Sequence, residues 1–141
     1  MSRRKVWTFS PHSGGSPIPP SVQDDTRRRV LAHAQKHFAG RFLRIDVRFR
    51  GALCYIDAYC EPAPPSKSLL SVFGETRTEF LERMRAAPMH LCRLRYFAGH
   101  GTWSVAFYTY SHERYEPTFF ASGDTFGTPE EAFDVGAVYL D

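Results

Sequence analysis

No apolar run in the 141-residue chain approaches the roughly 18 residues that a membrane-spanning helix requires. The first residues, MSRRKVWTFSP, carry charge but no apolar core of a secretory signal, so a soluble, cytoplasmic protein is expected. Cysteine is also scarce: an odd count of three is what a reducing compartment permits. Cys54 and Cys60 lie six strand residues apart, roughly 20 Å at about 3.3 Å per residue, and cannot pair without breaking the strand. There is no phosphate-cradling glycine loop, no nucleophile motif and no cysteine pair at metal-ligand spacing. These absences remove the readiest grounds for reading the chain as an enzyme, and no cofactor is implied.

What the chain does have is core-forming material, 43% hydrophobic and 15% aromatic, enough for one domain. The net charge of +3 is unevenly spread. Residues 1–50 hold eleven Lys or Arg against three Asp, and residues 51–141 hold seven against twelve acids. Such asymmetry can steer an anionic partner to one end or let copies associate head to tail; it also fits a merely solvated surface.

Residues 1–20, rich in Ser, Gly and Pro without a hydrophobic period, predict an irregular basic arm, leaving 21–141 as a single α+β domain. Trp7 and Phe9 in that arm suggest an anchor onto the domain or onto a partner, and Arg3, Arg4 and Lys5 a weak nucleic-acid contact. Ser21, after Pro19 and Pro20, is placed to cap a helix running to about Phe38 and stopped by Gly40. Val22, Val30, Leu31, Ala34 and Phe38 form its expected core stripe. His33 and His37 stand four apart, the spacing of two helix metal ligands, but without the rest of such a motif they are read as surface residues.

The segment Arg41–Cys60 alternates strictly on both sides of a turn placed at Arg50-Gly51. With Phe49 opposite Ala52, one face collects Leu43, Ile45, Val47, Phe49, Cys54, Ile56 and Ala58. The other collects Arg44, Asp46, Arg48, Tyr55, Asp57 and Tyr59, with Arg44 across from Asp57. A proline-marked loop with a short turn near Leu69–Phe73 follows, then a half-buried helix over Thr76–Ala87 ended by Pro88. A second hairpin, Met89–Phe97 with Thr102–Tyr110, pairs Tyr96/Trp103, Leu94/Val105, Cys92/Phe107 and His90/Thr109 on a core side. Leu91, Arg93, Arg95, Tyr108 and Tyr110 then belong to the opposite face. Cys54 and Cys92 have core parity and are expected to be inert packing residues. A fifth strand, Tyr115–Ala121, must be an edge because Pro117 cannot donate to a ladder, and its register is open. Thr128-Pro129-Glu130-Glu131 combines an N-cap, an N1 proline and a capping-box glutamate. The closing helix to about Leu140 offers Ala132, Val135 and Tyr139 as its buried stripe. The expected fold is therefore α+β, an antiparallel sheet of four to five strands with helices packed on one face as a two-layer sandwich.

The order of a proline-rich start, a helix, the run YIDAYCEPAPP, the hairpin HLCRLRYFAGHGTWSVAFYTY and a terminal helix resembles a family of small uncharacterised bacterial proteins. Tyr55, Tyr59, Cys60, Pro62, His100, Gly101 and Trp103 carry the resemblance, which implies the order of elements and brings no activity with it.

Function is expected on the polar sheet face, through Arg44, Arg48, Tyr55, Tyr59, Arg93, Arg95, Tyr108 and Tyr110. Tyrosine and arginine are favoured anchors at protein interfaces, so the leading expectation is a non-enzymatic interaction module that binds a protein partner or a second copy. The same residues could stack bases and hold phosphates of single-stranded nucleic acid, though Asp46 and Asp57 oppose it. A third expectation is a small enzyme with His100 in the AGHG tip, supported by His112 and Glu113.

Overall fold

The computed structural model describes residues 11–100 and 102–141. Trp7, Phe9 and the basic Arg3, Arg4 and Lys5 lie outside the described residues. The elements run α1 (Pro20–Phe38), β1 (Arg44–Arg50), β2 (Leu53–Tyr59), α2 (Lys67–Phe73), α3 (Arg77–Ala86), β3 (Met89–Phe97), β4 (Thr102–Thr109), β5 (Arg114–Thr118) and α4 (Pro129–Gly136). Short 3-10 turns cover Ala98–His100 and Ala137–Leu140. The five strands form one antiparallel meander in the order β1-β2-β3-β4-β5. This is the expected α+β class. No helix among the described residues is long and apolar enough to cross a membrane.

The face of Ile45, Val47, Cys54, Ile56, Leu94 and Val105 is covered by α1 and α4, and Phe133, which no stripe anticipated, is fully buried between them. On α1 the buried positions are Thr26, Val30 and Ala34. Leu31, expected in that stripe, is 40% exposed, because it sits about 100° round the helix from Val30 and faces water. Ser21 does not cap α1. Pro19 occupies the N-cap with no side-chain bond and Pro20 is the first helical residue, whose missing N–H would be unpaired there in any case. The caps of α3 and α4 are full capping boxes, Thr76 with Glu79 and Thr128 with Glu131. Helices α2 and α3 stand aside from this core: α2 buries no residue and α3 buries Phe80 alone.

Residues 11–19 adopt no helix or strand but are tied to the end of the sheet. Ser16 N–H donates to Tyr96 O, Ile18 N–H donates to Gly51 O, and Ile18 joins the core at 5% exposure. Gly15 passes so close that an added Cβ would stand 2.7 Å from Tyr96 O.

Two registers differ from expectation. In the first hairpin the loop is Gly51-Ala52 and Arg50 pairs with Leu53, so every partner moves by two residues and Arg44 faces Tyr59 rather than Asp57. Gly51 has φ +59, and placing it first in the loop puts the residue without a Cβ where a left-handed conformation is needed. A two-residue change preserves parity, so both faces keep their membership.

The second hairpin keeps its expected pairs from Phe97/Thr102 to Cys92/Phe107. Between β2 and β3, however, Ile56 pairs with Cys92 and Asp57 with His90, leaving Leu91 as the extra residue of a bulge. His90 is thereby carried to the polar face, and Leu91, expected there, is fully buried. The fifth strand ends at Thr118, earlier than expected. It is an edge with Tyr108 opposite Tyr115 and Ala106 opposite Pro117.

Leu91 backs onto α4. A Cβ built on Gly136 would lie 2.7 Å from Leu91 O and 2.8 Å from its C and Cβ atoms. Gly136→Ala is expected to destabilise the fold by about 1–3 kcal/mol, the overpacking cost outweighing the better helix propensity of alanine. Urea unfolding checks this, with a stabilised variant as the contrary result. Helices α1 and α4 are also clamped by Arg29, whose Nη2 and Nε donate to Glu130 at 2.7 and 2.9 Å. Burial pushes the Glu130 carboxyl up, but the bonds from Arg29 and from backbone outweigh it and hold it below its ordinary 4.5. A depressed carboxylate contributes stability above its unfolded-state value that is lost as pH falls through the folded value. Glu130→Gln should therefore flatten the loss of stability between about pH 5 and pH 3, read from urea midpoints across that range.

Candidate functional site

All eight expected site residues lie on or at the end of the sheet face that no helix of the described core covers, but they divide into four groups. At one end Arg44 and Tyr59 are register partners, with the guanidinium 3.9 Å from the ring centroid. At the other end Arg95 donates to Gly14 O at 2.9 Å, so the arm closes that corner. Burial first, and the charge of Arg93 second, lower the Arg95 value, and the same two arginines with burial lower that of His12 on the arm. Tyr110 lies one residue past β4. Its hydroxyl accepts from His90 N–H at 2.7 Å and its ring packs edge-on against Tyr139, at the border of the face.

The remaining four, Arg48, Tyr55, Arg93 and Tyr108, surround a centre that sequence reasoning missed. Asp57 is 3% exposed. Arg48 Nη2 donates to its Oδ2 at 2.8 Å, and His90 Nδ1 donates to its Oδ1 at 2.9 Å. Tyrosine rings wall this carboxylate in: Tyr115 lies 5.6 Å from Tyr55 and 4.9 Å from Tyr108, and His90 lies 4.8 Å from Tyr108. Burial, and then the Asp57 charge, push the Tyr115 phenol well up, so it stays protonated. Arg48 pays some desolvation, which its bonds to Asp57 more than offset. Asp57 is expected, on sequence parity, across from Arg44. It reaches Arg48 and His90 instead because the Gly51-Ala52 loop moves the register and the bulge reverses the side of His90. Tyr115 was visible in the sequence only as a strand residue of open register.

The other expected chemistry disperses. His100 and the pair His112 and Glu113 occupy opposite ends of the eight-residue β4, about 26 Å apart at strand rise, so they form no joint site. His112 Nδ1 bonds Glu116 Oε2 at 3.0 Å. His33 and His37 are neighbours at 4.7 Å between ring centroids, and His33 Nε2 bonds Asp134 Oδ1 at 2.7 Å across to α4. Burial raises the Cys54 thiol to about 12 and also pushes the Cys92 thiol well up, which keeps both protonated and unreactive.

No protein-family model matches the chain, nor does any curated protein or solved structure.

Arg48 is the exposed partner and Asp57 the buried one, so removing the arginine is the costly change. Arg48→Met should lower stability by about 1–3 kcal/mol, the cost of leaving one buried carboxylate oxygen without its charged donor. Denaturant unfolding measures this, and an unchanged midpoint would mean that His90 alone satisfies Asp57.

Proposed function

We propose that the chain is a non-enzymatic interaction module whose open Arg/Tyr sheet face binds a protein partner that presents carboxylates. One observation carries the reading: three arginines of the face already lie over three of its tyrosines. Arg44 covers Tyr59, Arg48 lies 5.2 Å from Tyr55, and Arg93 lies 5.3 Å from Tyr115. The tyrosines meet one another edge-on, at 67° for Tyr55 and Tyr115 and 75° for Tyr108 and Tyr115. Ring faces so occupied are poor platforms for stacked bases, which weighs against single-stranded nucleic acid. Guanidiniums held over tyrosine rings are ordered before any partner arrives, which lowers the entropy lost on docking.

Charge supports the same reading. Arg44 and Arg93 have no carboxylate within ion-pair distance among the described residues, whereas Arg48 has two in Asp57 and Asp46. The face thus holds cations whose countercharge is missing from the described part of the chain. A partner with acidic side chains supplies it, with tyrosines as the apolar part of the contact.

Arg44→Ala combined with Arg93→Ala should abolish association while leaving the melting temperature within a few degrees, since Arg44 is exposed and Arg93 only half-buried. Solution mass of the purified protein, measured with and without nuclease and across a salt series, reads the result. Loss of the associated mass on nuclease treatment, or full association by the double variant, would overturn the proposal. A self-associated mass that the double variant loses would identify the partner as a second copy.

A further inference from the structure

Beside the buried Asp57 the sheet face opens into a concavity of about 510 Å³ lined by Arg48, Phe49, Arg50, Tyr55, His90 and Tyr115. The volume falls in the range of small-ligand clefts. Its polar wall is rich in donors. Arg48 and Arg50 bring guanidiniums, which cannot accept, and Tyr115 keeps its phenolic proton. The nearest acceptor, the Asp57 carboxylate, is withdrawn from the cleft: one oxygen is taken by Arg48 and the other by His90.

That pairing also sets the role of His90. Its Nδ1–H is used on Asp57, so the ring is held in one orientation and Nε2 is the nitrogen left for the cleft, where the side chain is 33% exposed. Arg50 closes the other side. It has no carboxylate within ion-pair distance among the described residues. A cleft with a spare guanidinium on Arg50, and with His90 Nε2 as its one imidazole acceptor, suits a ligand that is mainly an acceptor. Because a lone oxyanion is much smaller than the cleft, the remaining wall of Tyr55 and Tyr115 suits an apolar body attached to it.

We infer that this concavity binds a small organic oxyanion, a phosphate or carboxylate on an aromatic or apolar body, with Arg50 receiving the charged group and His90 beside it. Arg48 holds its position through Asp57, and the Tyr55 and Tyr115 rings flank the body of the ligand. The site is separate from the protein-association reading, whose test removes Arg44 and Arg93 and leaves Arg50 and His90 in place.

The test is an NMR titration of the His90 and tyrosine ring resonances of the full chain with phenyl phosphate, benzoate, inorganic phosphate and uncharged phenol. Phenyl phosphate or benzoate should give saturable shifts, tighter than inorganic phosphate, and phenol none; the tighter of the two names the charged group. Arg50→Gln, a change at an exposed strand end that leaves the fold intact, should weaken binding about tenfold or more. The Arg44→Ala variant should titrate like the wild type. Three results would overturn the inference: phenol moving the same resonances equally, Arg50→Gln binding like the parent, or no saturation up to about 10 mM.

Discussion

A carboxylate taken out of water has to be matched by cationic donors, and the face opposite the helices is arranged around that requirement at Asp57. Among the described residues its bonded partners belong to the sheet itself. Its shielding comes from side chains of its own sheet: Arg48 from β1, Tyr55 beside it on β2, His90 from β3, Tyr108 from β4 and Tyr115 from β5. All five strands therefore place a side chain around one charge, and β1 and β3 satisfy it. Each register is constrained by it, since a slip in any pairing would remove one member of the shell.

The bulge at Leu91 joins the two faces. On one side it delivers His90 to Asp57, and on the other it turns Leu91 into the core, where Gly136 leaves just enough room for it. A regular strand could do only one of these. The helices see the consequence through α4, whose capping box starts it firmly and whose last residue must be glycine-sized where it meets β3. Packing on the covered face and chemistry on the open face are thus coupled through a single extra residue.

Much of this was legible from residue types alone. The two-residue period of RFLRIDVRFR and LCYIDAYC assigns the two faces because parity survives a register shift of two, although Leu43, just before β1, is exposed and Asp57 is buried on the open face. The Thr128 signal is local, needing only four consecutive residues, and holds for the same reason. Misses came where a local rule met competition. Ser21 is a good cap, but Pro19 and Pro20 start the helix before it. Leu31 is apolar, but it lies just off the stripe that Thr26, Val30 and Ala34 define. His90 followed strict alternation in the sequence, and no residue type announces the bulge that moves it.

The sequence by itself determined the order of elements, the antiparallel pairing of successive strands, the two-faced sheet and the concentration of arginine and tyrosine on one face. Those properties follow from short-range periodicity, turn residues and capping, which act over a few bonds. Only the tertiary structure decided that Asp57 is the centre of that face, that Arg48 rather than Arg44 is its cation, and that Tyr115 and His90 belong beside it. These are contacts between strands up to 58 residues apart in the chain, from Asp57 to Tyr115. They depend on two non-repeating details, which glycine begins a loop and where one residue bulges, and both are settled by packing and by the need to satisfy a buried charge.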